Sequence, residues 1–175
     1  MDAAVSAARE KLKNVTPLKR DCGRVCGARC CFPLDGEETG MLLFPTEAEV
    51  YEGKDGWGIR KTSRAELVIC PGSCERDERP LSCRLFPLLP LIGDGGDIRV
   101  VTDQRAKAVC PLARQGKSAM DPSFIDAVRE AGELLAQSDN QAVFLDLLEE
   151  EQEELKELRK RFQGSIQKRG GGKDV

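Results

Sequence analysis

Four of the eight cysteines of this chain lie within ten residues, in the segment DCGRVCGARCCF. The complete set is Cys22, Cys26, Cys30, Cys31, Cys70, Cys74, Cys83 and Cys110. Closely spaced thiols can reach one metal ion without closing a long loop, which keeps the entropic cost of assembling the site small. The spacing therefore predicts metal coordination by thiolates, with every cysteine a candidate ligand.

Two other uses of the cysteines compete with metal binding. Structural cysteines are buried among apolar neighbours as small hydrophobic residues, whereas these are flanked by Gly, Arg, Asp and Pro. Disulfide frameworks are typical of exported proteins. The N-terminal residues lack the apolar run of a secretory signal, because Arg9, Glu10 and Lys11 interrupt it. We therefore expect a cytoplasmic protein, whose thiols stay reduced unless they bind metal or take part in redox chemistry.

The chain contains no histidine, which restricts the chemistry of the site. Zinc fingers of the Cys2His2 type, Rieske centres, histidine-based zinc hydrolases and Cys–His or Ser–His catalytic pairs are excluded. What remains is a site of thiolates alone, or one that adds an Asp or Glu ligand and keeps an open position. Eight cysteines are enough for two four-ligand sites, or for one site with redox thiols left over.

Arginines accompany the cysteines along the sequence. Four thiolates around a zinc ion, or around a [4Fe–4S]2+ cluster, leave a net charge of about −2. We expect the permanent positive charge of nearby arginines to offset it. The candidates are Arg24, Arg29, Arg76, Arg79, Arg84 and Arg105.

The composition gives no reason to expect a nucleic acid or a membrane as partner. A net charge of −3 and a pI of about 5.3 provide no general attraction to polyanions. The longest apolar stretch, LFPLLPLIG, contains two prolines and is far shorter than the roughly 20 residues of a membrane helix.

The elements around the cysteines are predicted to be short. An amphipathic helix is expected over residues 2–14, with Val5, Ala8 and Leu12 on its apolar face. Glycine and proline are dense from 33 to 96, and the segment GKDGWGIRKT is rich in turn residues. We expect this part of the chain to bury little apolar surface, for which a bound metal would compensate.

Three further elements are predicted between the front cysteines and the end of the cysteine-rich segment. A strand over 41–44 leads into a helical turn, which Thr46 caps together with Glu49. A second strand, AELVIC, delivers Cys70, and a hairpin forms over 89–101 around a Gly/Asp turn.

Two helices, expected to form an antiparallel pair, follow the last cysteine. The first has Asp121 as N-cap and Pro122 as its first residue. Its apolar face holds Phe124, Val128, Ala131 and Leu135.

The second helix of the pair begins after SDN and ends at Gly164. Its apolar residues Val143, Phe144, Leu147 and Leu148 are followed by a charged stretch in which acidic residues precede basic ones, as the helix dipole favours. The charged stretch predicts a solvated face, and a stripe of Leu155, Leu158 and Phe162 is an alternative surface for a protein partner or a second copy.

Several segments resemble one known family. GRVCGARCC, TEAEV, CERDERPLSCRLFP and the Cys110–Pro111 pair are similar to the YkgJ-type cysteine-cluster proteins, over about residues 20–112. RPLSCRLFP is the most specific of these segments. The family is bacterial and archaeal and is described as zinc- or iron-chelating, often as containing an iron–sulfur cluster. The resemblance implies that the cysteines are metal ligands.

This sequence departs from the family pattern in its spacing. Three residues, not two, separate the front cysteines, and Asp77 stands where an aromatic residue is usual. The interval from Cys74 to Cys83 is one residue short. These differences bear on which cysteines share a metal.

Together, these observations predict an α+β protein with a small, irregular, cysteine-rich metal-binding domain that contains short strands. The expected organisation is an N-terminal helix (1–17), the metal-binding domain (18–115), a C-terminal helical hairpin (121–164) and a disordered tail (165–175).

The predicted function is coordination of an iron–sulfur cluster or zinc by thiolates. The resemblance favours iron–sulfur narrowly, although the spacing matches neither usual ferredoxin pattern. One alternative is an iron–sulfur enzyme, such as a protein-modifying methylase or oxidoreductase, for which the sequence contains no acid–base constellation. Another is a thiol-redox or metal-handling protein.

Overall fold

The computed structural model describes residues 1–32, 40–72 and 74–170, with side chains as far as residue 162. The fold is α+β, as predicted, with seven α-helices and five short strands in this described part of the chain. The helices are α1 (Ala3–Lys11), α2 (Cys22–Cys26), α3 (Leu81–Leu85), α4 (Ala106–Val109), α5 (Pro111–Gln115), α6 (Pro122–Leu135) and α7 (Asp139–Gly170). The strands are β1 (Gly40–Leu42), β2 (Gly58–Lys61), β3 (Glu66–Ile69), β4 (Leu88–Ile92) and β5 (Ile98–Thr102).

The N-terminal helix α1 is confirmed, and it is slightly shorter than predicted. Asp2 caps it, since its Oδ1 accepts a hydrogen bond of 2.7 Å from the backbone N–H of Ala4. Val5, Ala8 and Leu12 are fully buried, as their spacing predicts, and α1 packs on α6.

The main apolar core joins α1, α3, the β4–β5 hairpin, α6 and α7. Each fully buried Leu or Phe in it contributes about 1.5–3 kcal/mol. Leu81, Leu85, Leu88 and Leu89 come from the cysteine-rich segment and are all buried in this core. The expectation that this segment buries little apolar surface is therefore wrong.

A three-stranded antiparallel sheet, in the order β1–β3–β2, forms the second layer. The predicted strand AELVIC is confirmed as β3, and Cys70 follows its last residue, Ile69. The strand predicted over 41–44 is present as β1, which is shorter and starts one residue earlier. β2 forms where the sequence predicts turns, because each of its residues pairs with β3.

The predicted hairpin is confirmed as β4 and β5. Leu88 pairs with Thr102 at one end and Ile92 with Ile98 at the other. The turn is closed by the Gly93 N–H, which donates to the Asp97 carbonyl oxygen at 2.7 Å.

The predicted cap at Thr46 is wrong. Thr46 has φ +71° and makes no side-chain cap for the 3-10 turn Glu47–Val50. Its Oγ1 instead accepts a hydrogen bond of 2.7 Å from the backbone N–H of Asp2, and Glu49 pairs with the N-terminal ammonium group at 2.5 Å. The turn is therefore used to hold the start of α1.

Both C-terminal helices form. Asp121 caps α6 by accepting a hydrogen bond of 2.9 Å from the Ser123 N–H, and Pro122 is the first helical residue. Helix α6 packs on α1 and on the β4–β5 hairpin, and α7 packs on β4. The two helices are thus part of the main core.

Helix α7 is longer than predicted. It continues through Gly164 to Gly170, so the predicted end of the helix at Gly164 is wrong. An isolated Gly costs about 1 kcal/mol within a helix, which does not end a long one. Residues 171–175, predicted to be disordered, lie outside the described residues. Of the helices described, none has the length and apolar character needed to cross a bilayer.

Candidate metal centre

All eight cysteines line one cavity of about 300 Å3. They reach it from α2, the 3-10 turn Arg29–Cys31, the end of β3, the loop before α3, α3 itself and the junction of α4 and α5. Side chains from the sheet, including Met41 and Val68, also line the cavity. The fold therefore places the front cysteines, the middle group and Cys110 around one cavity.

The front cysteines are placed by a short helix and a tight turn. Cys22 and Cys26 are the first and last residues of α2, and Asp21 caps that helix through a hydrogen bond of 3.0 Å from the Gly23 N–H. Gly27 ends α2 with φ +66°, a conformation that glycine adopts without strain.

Ala28 directly follows this turn with φ +50°. A non-glycine residue in this region costs about 1–3 kcal/mol. The reversal that Gly27 and Ala28 make leads into the 3-10 turn that carries Cys30 and Cys31. The backbone is therefore strained at Ala28, directly before the turn that carries Cys30 and Cys31.

The middle cysteines are held by the sheet and by α3. Cys70 follows β3, and Cys83 lies within α3. Between Cys70 and Cys74, Gly72 adopts φ +86°, and a Cβ on it would lie 3.9 Å from the Cys31 carbonyl oxygen. The loop that carries Cys70 and Cys74 therefore runs beside the backbone of Cys31.

Cys110 occupies the junction of α4 and α5. Its backbone N–H donates to the Ala106 carbonyl oxygen at 2.7 Å, and Pro111 begins α5. The extended backbone of Cys110 separates the two helices. Helix α4 contacts the 3-10 turn Arg29–Cys31, which brings Cys110 towards the front group.

Among the predicted arginines, Arg79 has a clear electrostatic interaction with the cysteine thiols. Its side chain lines the cavity together with Cys74. Burial opposes its charge, yet Cys74, Asp21 and Cys31 together raise the pKa of Arg79. It therefore places a fixed positive charge among the thiols, as the sequence predicts for this residue.

Two other predicted arginines reach the cavity lining but bind backbone carbonyls. Arg76 donates from Nε to the Lys13 carbonyl oxygen at 2.6 Å, at the end of α1. Arg84 is buried and donates to the carbonyl oxygens of Arg9 at 3.0 Å and Asp77 at 2.8 Å. Their main contacts hold α1 against the loop before α3.

The remaining arginines differ from the prediction in place or in partner. Arg24 and Arg29 are exposed. Arg105 donates to Asp103 at 3.0 Å and pairs with Glu151, so its predicted role beside the cysteines is wrong. Its position near Cys110 in the sequence did not reveal these two acidic partners.

The thiols have unequal acidities. Burial raises the pKa of Cys83 well above its usual value, and the neighbouring Cys31, Cys70 and Cys74 raise it further. Burial likewise raises the pKa of Cys22 and of Cys74.

The pKa values of Cys30 and Cys31 differ most from each other, because their Sγ atoms lie 4.0 Å apart and share a hydrogen bond. That hydrogen bond lowers the pKa of Cys31 to about 6 and raises the pKa of Cys30. The thiolate form is the one that binds metal or attacks as a nucleophile. Cys31 is therefore the thiol most readily deprotonated at this pair.

The cysteine side chains around the cavity are of the chemical type that thiophilic metals bind. Thiolates are the ligands of zinc and of iron–sulfur clusters, and the cavity supplies them without a competing imidazole. In the described conformations, however, no three Cys, Asp or Glu side chains of residues 1–32, 40–72 and 74–162 come close enough together to hold a metal ion. Coordination requires side-chain rotation or backbone closure around the cavity.

Comparisons with models of known protein families, with curated proteins and with solved structures found no match for this chain.

Glu47 is a buried carboxylate next to α3 that the sequence did not predict. It is fully buried, and its Oε1 accepts hydrogen bonds from Arg9 Nη1 at 2.5 Å and from the Leu81 N–H at 2.7 Å. The latter fixes the start of α3, which carries Cys83. The only signal was its position in TEAEV, since nothing in the local pattern marks this carboxylate as buried.

Proposed function

We propose that this protein binds an iron–sulfur cluster or zinc through its cysteine thiolates. The observation that carries the proposal is the convergence of all eight cysteines on one cavity. Chance placement of cysteines as small hydrophobic residues would scatter them through the main core, yet none of the buried residues that form this core is a cysteine. The fixed charge of Arg79 within the cavity lining supports a site whose ligands are anionic.

An iron–sulfur cluster is the preferred occupant. The cavity volume of about 300 Å3 offers room for a polynuclear centre, and the number of thiols exceeds the four that a single structural zinc uses. The resemblance to YkgJ-type cysteine-cluster proteins points the same way. Zinc bound by four thiolates would be structural, with no open position for catalysis. In either case the reduced thiols that the site needs agree with a cytoplasmic location.

Anaerobic purification followed by elemental analysis, sulfide determination and a visible spectrum tests the proposal. We expect iron with matching acid-labile sulfide and broad sulfur-to-iron charge-transfer absorption. Zinc in a colourless sample would select the other metal. Protein that contains neither metal, and gains none when supplied with Fe2+ and sulfide or with Zn2+, would overturn metal binding.

A thiol-redox or metal-handling role is the second candidate. The pKa of Cys31 is lowered to about 6, and its hydrogen-bonded neighbour Cys30 is exposed. A low thiol pKa is one feature of reactive cysteines, and Cys31, which is half-buried, has it, whereas the exposed Cys30 has a raised pKa. Counting free thiols before and after chelation separates the roles: reversible disulfides that form once metal is removed favour redox or metal handling, and an unchanged thiol count excludes it.

A further inference from the structure

Helix α7 has one apolar face, which becomes exposed towards the C-terminus. Leu148, Leu155 and Phe162 are seven residues apart, close to two helical turns, and therefore lie on one side of the helix. Leu148 is buried in the main core and Leu155 is half-buried, whereas Phe162 is 70% exposed. Leu158 lies between the last two on the same side and is 49% exposed. Apolar residues scattered singly are normal on a surface, but a row that continues a core face into solvent indicates an interaction surface.

We propose that this surface, the α7 stripe of Leu155, Leu158 and Phe162, binds a second copy of the chain. The two α7 helices lie antiparallel and cross near Leu158. This assembly goes beyond the proposed metal binding and does not depend on which metal the cysteines hold. A single helix pair buries less than the about 800 Å2 per partner of a standard interface, so the dimer is weak and forms in a concentration-dependent manner.

A two-fold axis near Leu158 brings the apolar residues of the stripe together in pairs. In an antiparallel pair, a residue before the crossing point lies opposite one that follows it at a similar distance. Leu158 then faces Leu158 of the second copy. Leu155, three residues before the crossing, faces Phe162 of the second copy, four residues after it. Each exposed side chain of the stripe is thereby covered by another apolar side chain.

The charges along α7 favour a second copy over other partners. Residues 149–154 contain five Glu and no basic residue, whereas residues 156–161 contain four basic residues and one Glu. Glu149 and Glu151 pair with arginines of their own chain, and the other three glutamates of this acidic half are exposed. An antiparallel copy places its basic half against the acidic half, whereas a parallel copy would place like charges side by side. An anionic membrane would be attracted by the basic half and repelled by the acidic half.

Glu154 and Arg161 supply a specific charge pair at the edge of the stripe. They are seven residues apart, and each directly precedes a residue of the stripe, so they lie along the same edge. In the antiparallel pair this edge faces itself, and Glu154 lies opposite Arg161 of the second copy. Within its own chain Glu154 pairs with Arg64 at 2.8 Å, but both side chains are about half exposed. Such a surface pair contributes little and leaves the carboxylate able to accept a second donor.

Sedimentation velocity of the full-length protein over a wide concentration range tests the proposal. The protein is kept anaerobic and reduced, so that no disulfide joins two chains. We expect the sedimentation coefficient to rise from that of a monomer towards that of a dimer. F162A should raise the dissociation constant about 100-fold, because each dimer loses the buried Phe side chain twice. The matched control is V143A, which removes an exposed apolar side chain of α7 far from the crossing point and should leave the dissociation constant unchanged.

Exchange of charges tests the antiparallel arrangement. E154R and R161E should each raise the dissociation constant by at least about tenfold, because like charges then face each other. The double variant E154R/R161E should restore the wild-type value, since the exchanged charges again form opposite pairs. E153R makes the same change on the other side of the helix, two residues from Leu155, and should leave the dissociation constant unchanged.

A wild-type protein that stays monomeric at every concentration overturns the proposal, as does a dimer that F162A and L158A do not weaken. Single charge variants that dissociate without rescue by the double variant overturn the antiparallel arrangement. A monomer that binds vesicles of phosphatidylserine through Phe162 would assign the stripe to a membrane surface instead. Circular dichroism checks that each variant keeps its helix content. Elemental analysis should find wild-type metal content in F162A, so a failure of the dimer is distinguished from a failure of metal binding.

Discussion

Glu47 accepts a hydrogen bond of 2.7 Å from the backbone N–H of Leu81, a residue 34 positions away in the sequence. The same oxygen accepts a hydrogen bond from Arg9, so one buried carboxylate connects α1, the 3-10 turn Glu47–Val50 and α3. Helix α3 carries Cys83. The buried Glu47–Arg9 pair therefore holds the start of the helix that carries Cys83. Its contribution to the free energy of unfolding can be measured without changing any cysteine.

Replacing Glu47 by Ala should be strongly destabilising. The substitution leaves the guanidinium of Arg9 buried without its carboxylate and the Leu81 N–H without an acceptor. Breaking a buried pair in this way costs about 3–5 kcal/mol. Urea denaturation of the metal-free protein measures the loss. The matched control is E49A: the Glu49 carboxylate pairs with the N-terminus at the surface, and its loss should cost at most about 1 kcal/mol. Equal effects of the two substitutions would contradict the role of Glu47.

Replacing Arg79 by Ala should weaken metal binding. It removes the positive charge in the cavity lining that interacts with Cys74 and offsets the thiolates. Loss of a second-layer partner of a metal ligand lowers affinity by about 10–100-fold. Competition with a chromogenic chelator measures the change. R29A is the control, because Arg29 is exposed and next to Cys30 in sequence. If R29A lost as much metal affinity as R79A, the effect would come from the net charge of the protein and not from the position of Arg79.

The acid dependence of stability should change when Asp2 loses its charge. The Ala4 N–H and, next, the Ser138 hydroxyl donate to the Asp2 carboxylate at 2.7 and 2.8 Å and lower its pKa. A lowered pKa means that the stabilisation is present above the usual value of about 3.9 and is lost as the pH falls through the folded-state value.

We compare D2N with wild type by urea denaturation between about pH 2 and pH 7. Asn is also a good N-cap, so D2N can keep the bond from the Ala4 N–H while it removes the charge and the acceptor at Oδ2 that Ser138 uses. The wild-type advantage should stay below about 1 kcal/mol at pH 7, since the carboxylate lies near solvent, and should shrink towards acid. S138A, which removes only the second donor, should reduce the pH dependence without reversing it. An advantage that grows on acidification would refute the interpretation.

The parts of the fold that depend on local pattern were predictable. The spacing of Val5, Ala8 and Leu12 identified α1, and the Asp121–Pro122 pair identified the start of α6. The Gly/Asp turn identified the β4–β5 hairpin. In each case the interactions that define the element lie within a few residues in sequence, so composition and periodicity determine them.

The failures involve partners distant in sequence. Thr46 matched a capping box, but its hydroxyl binds the Asp2 N–H. Arg105 was expected beside thiols and pairs with Asp103 and Glu151. The cysteine set itself could be identified from spacing, whereas the neighbours of each thiol depend on how β3, α3 and α4 pack around the cavity. Spacing alone therefore gives candidate ligands and leaves their grouping open.

The packing of α6 on the β4–β5 hairpin should make Gly132 intolerant of even one methyl group. Gly→Ala within a helix usually stabilises it, by about 0.8–1 kcal/mol. Here a Cβ would lie 2.5 Å from the Pro90 Cβ and 2.7 Å from the Ile98 Cγ2, both on the hairpin. Overpacking of this kind costs about 1–3 kcal/mol, so the clash outweighs the gain in propensity and G132A should be net destabilising.

Thermal and urea denaturation of G132A, with E133A as the control variant, decides whether the gain in helix propensity or the steric clash is larger. Glu133 is the next residue of α6 and is exposed, so E133A should change stability by no more than about 0.5 kcal/mol. If α6 separated from the hairpin without cost, G132A would be more stable than wild type, by the propensity difference alone. A destabilised G132A with wild-type helix content would instead locate the loss at the contact between α6 and Pro90, where the core has no room for the added atom.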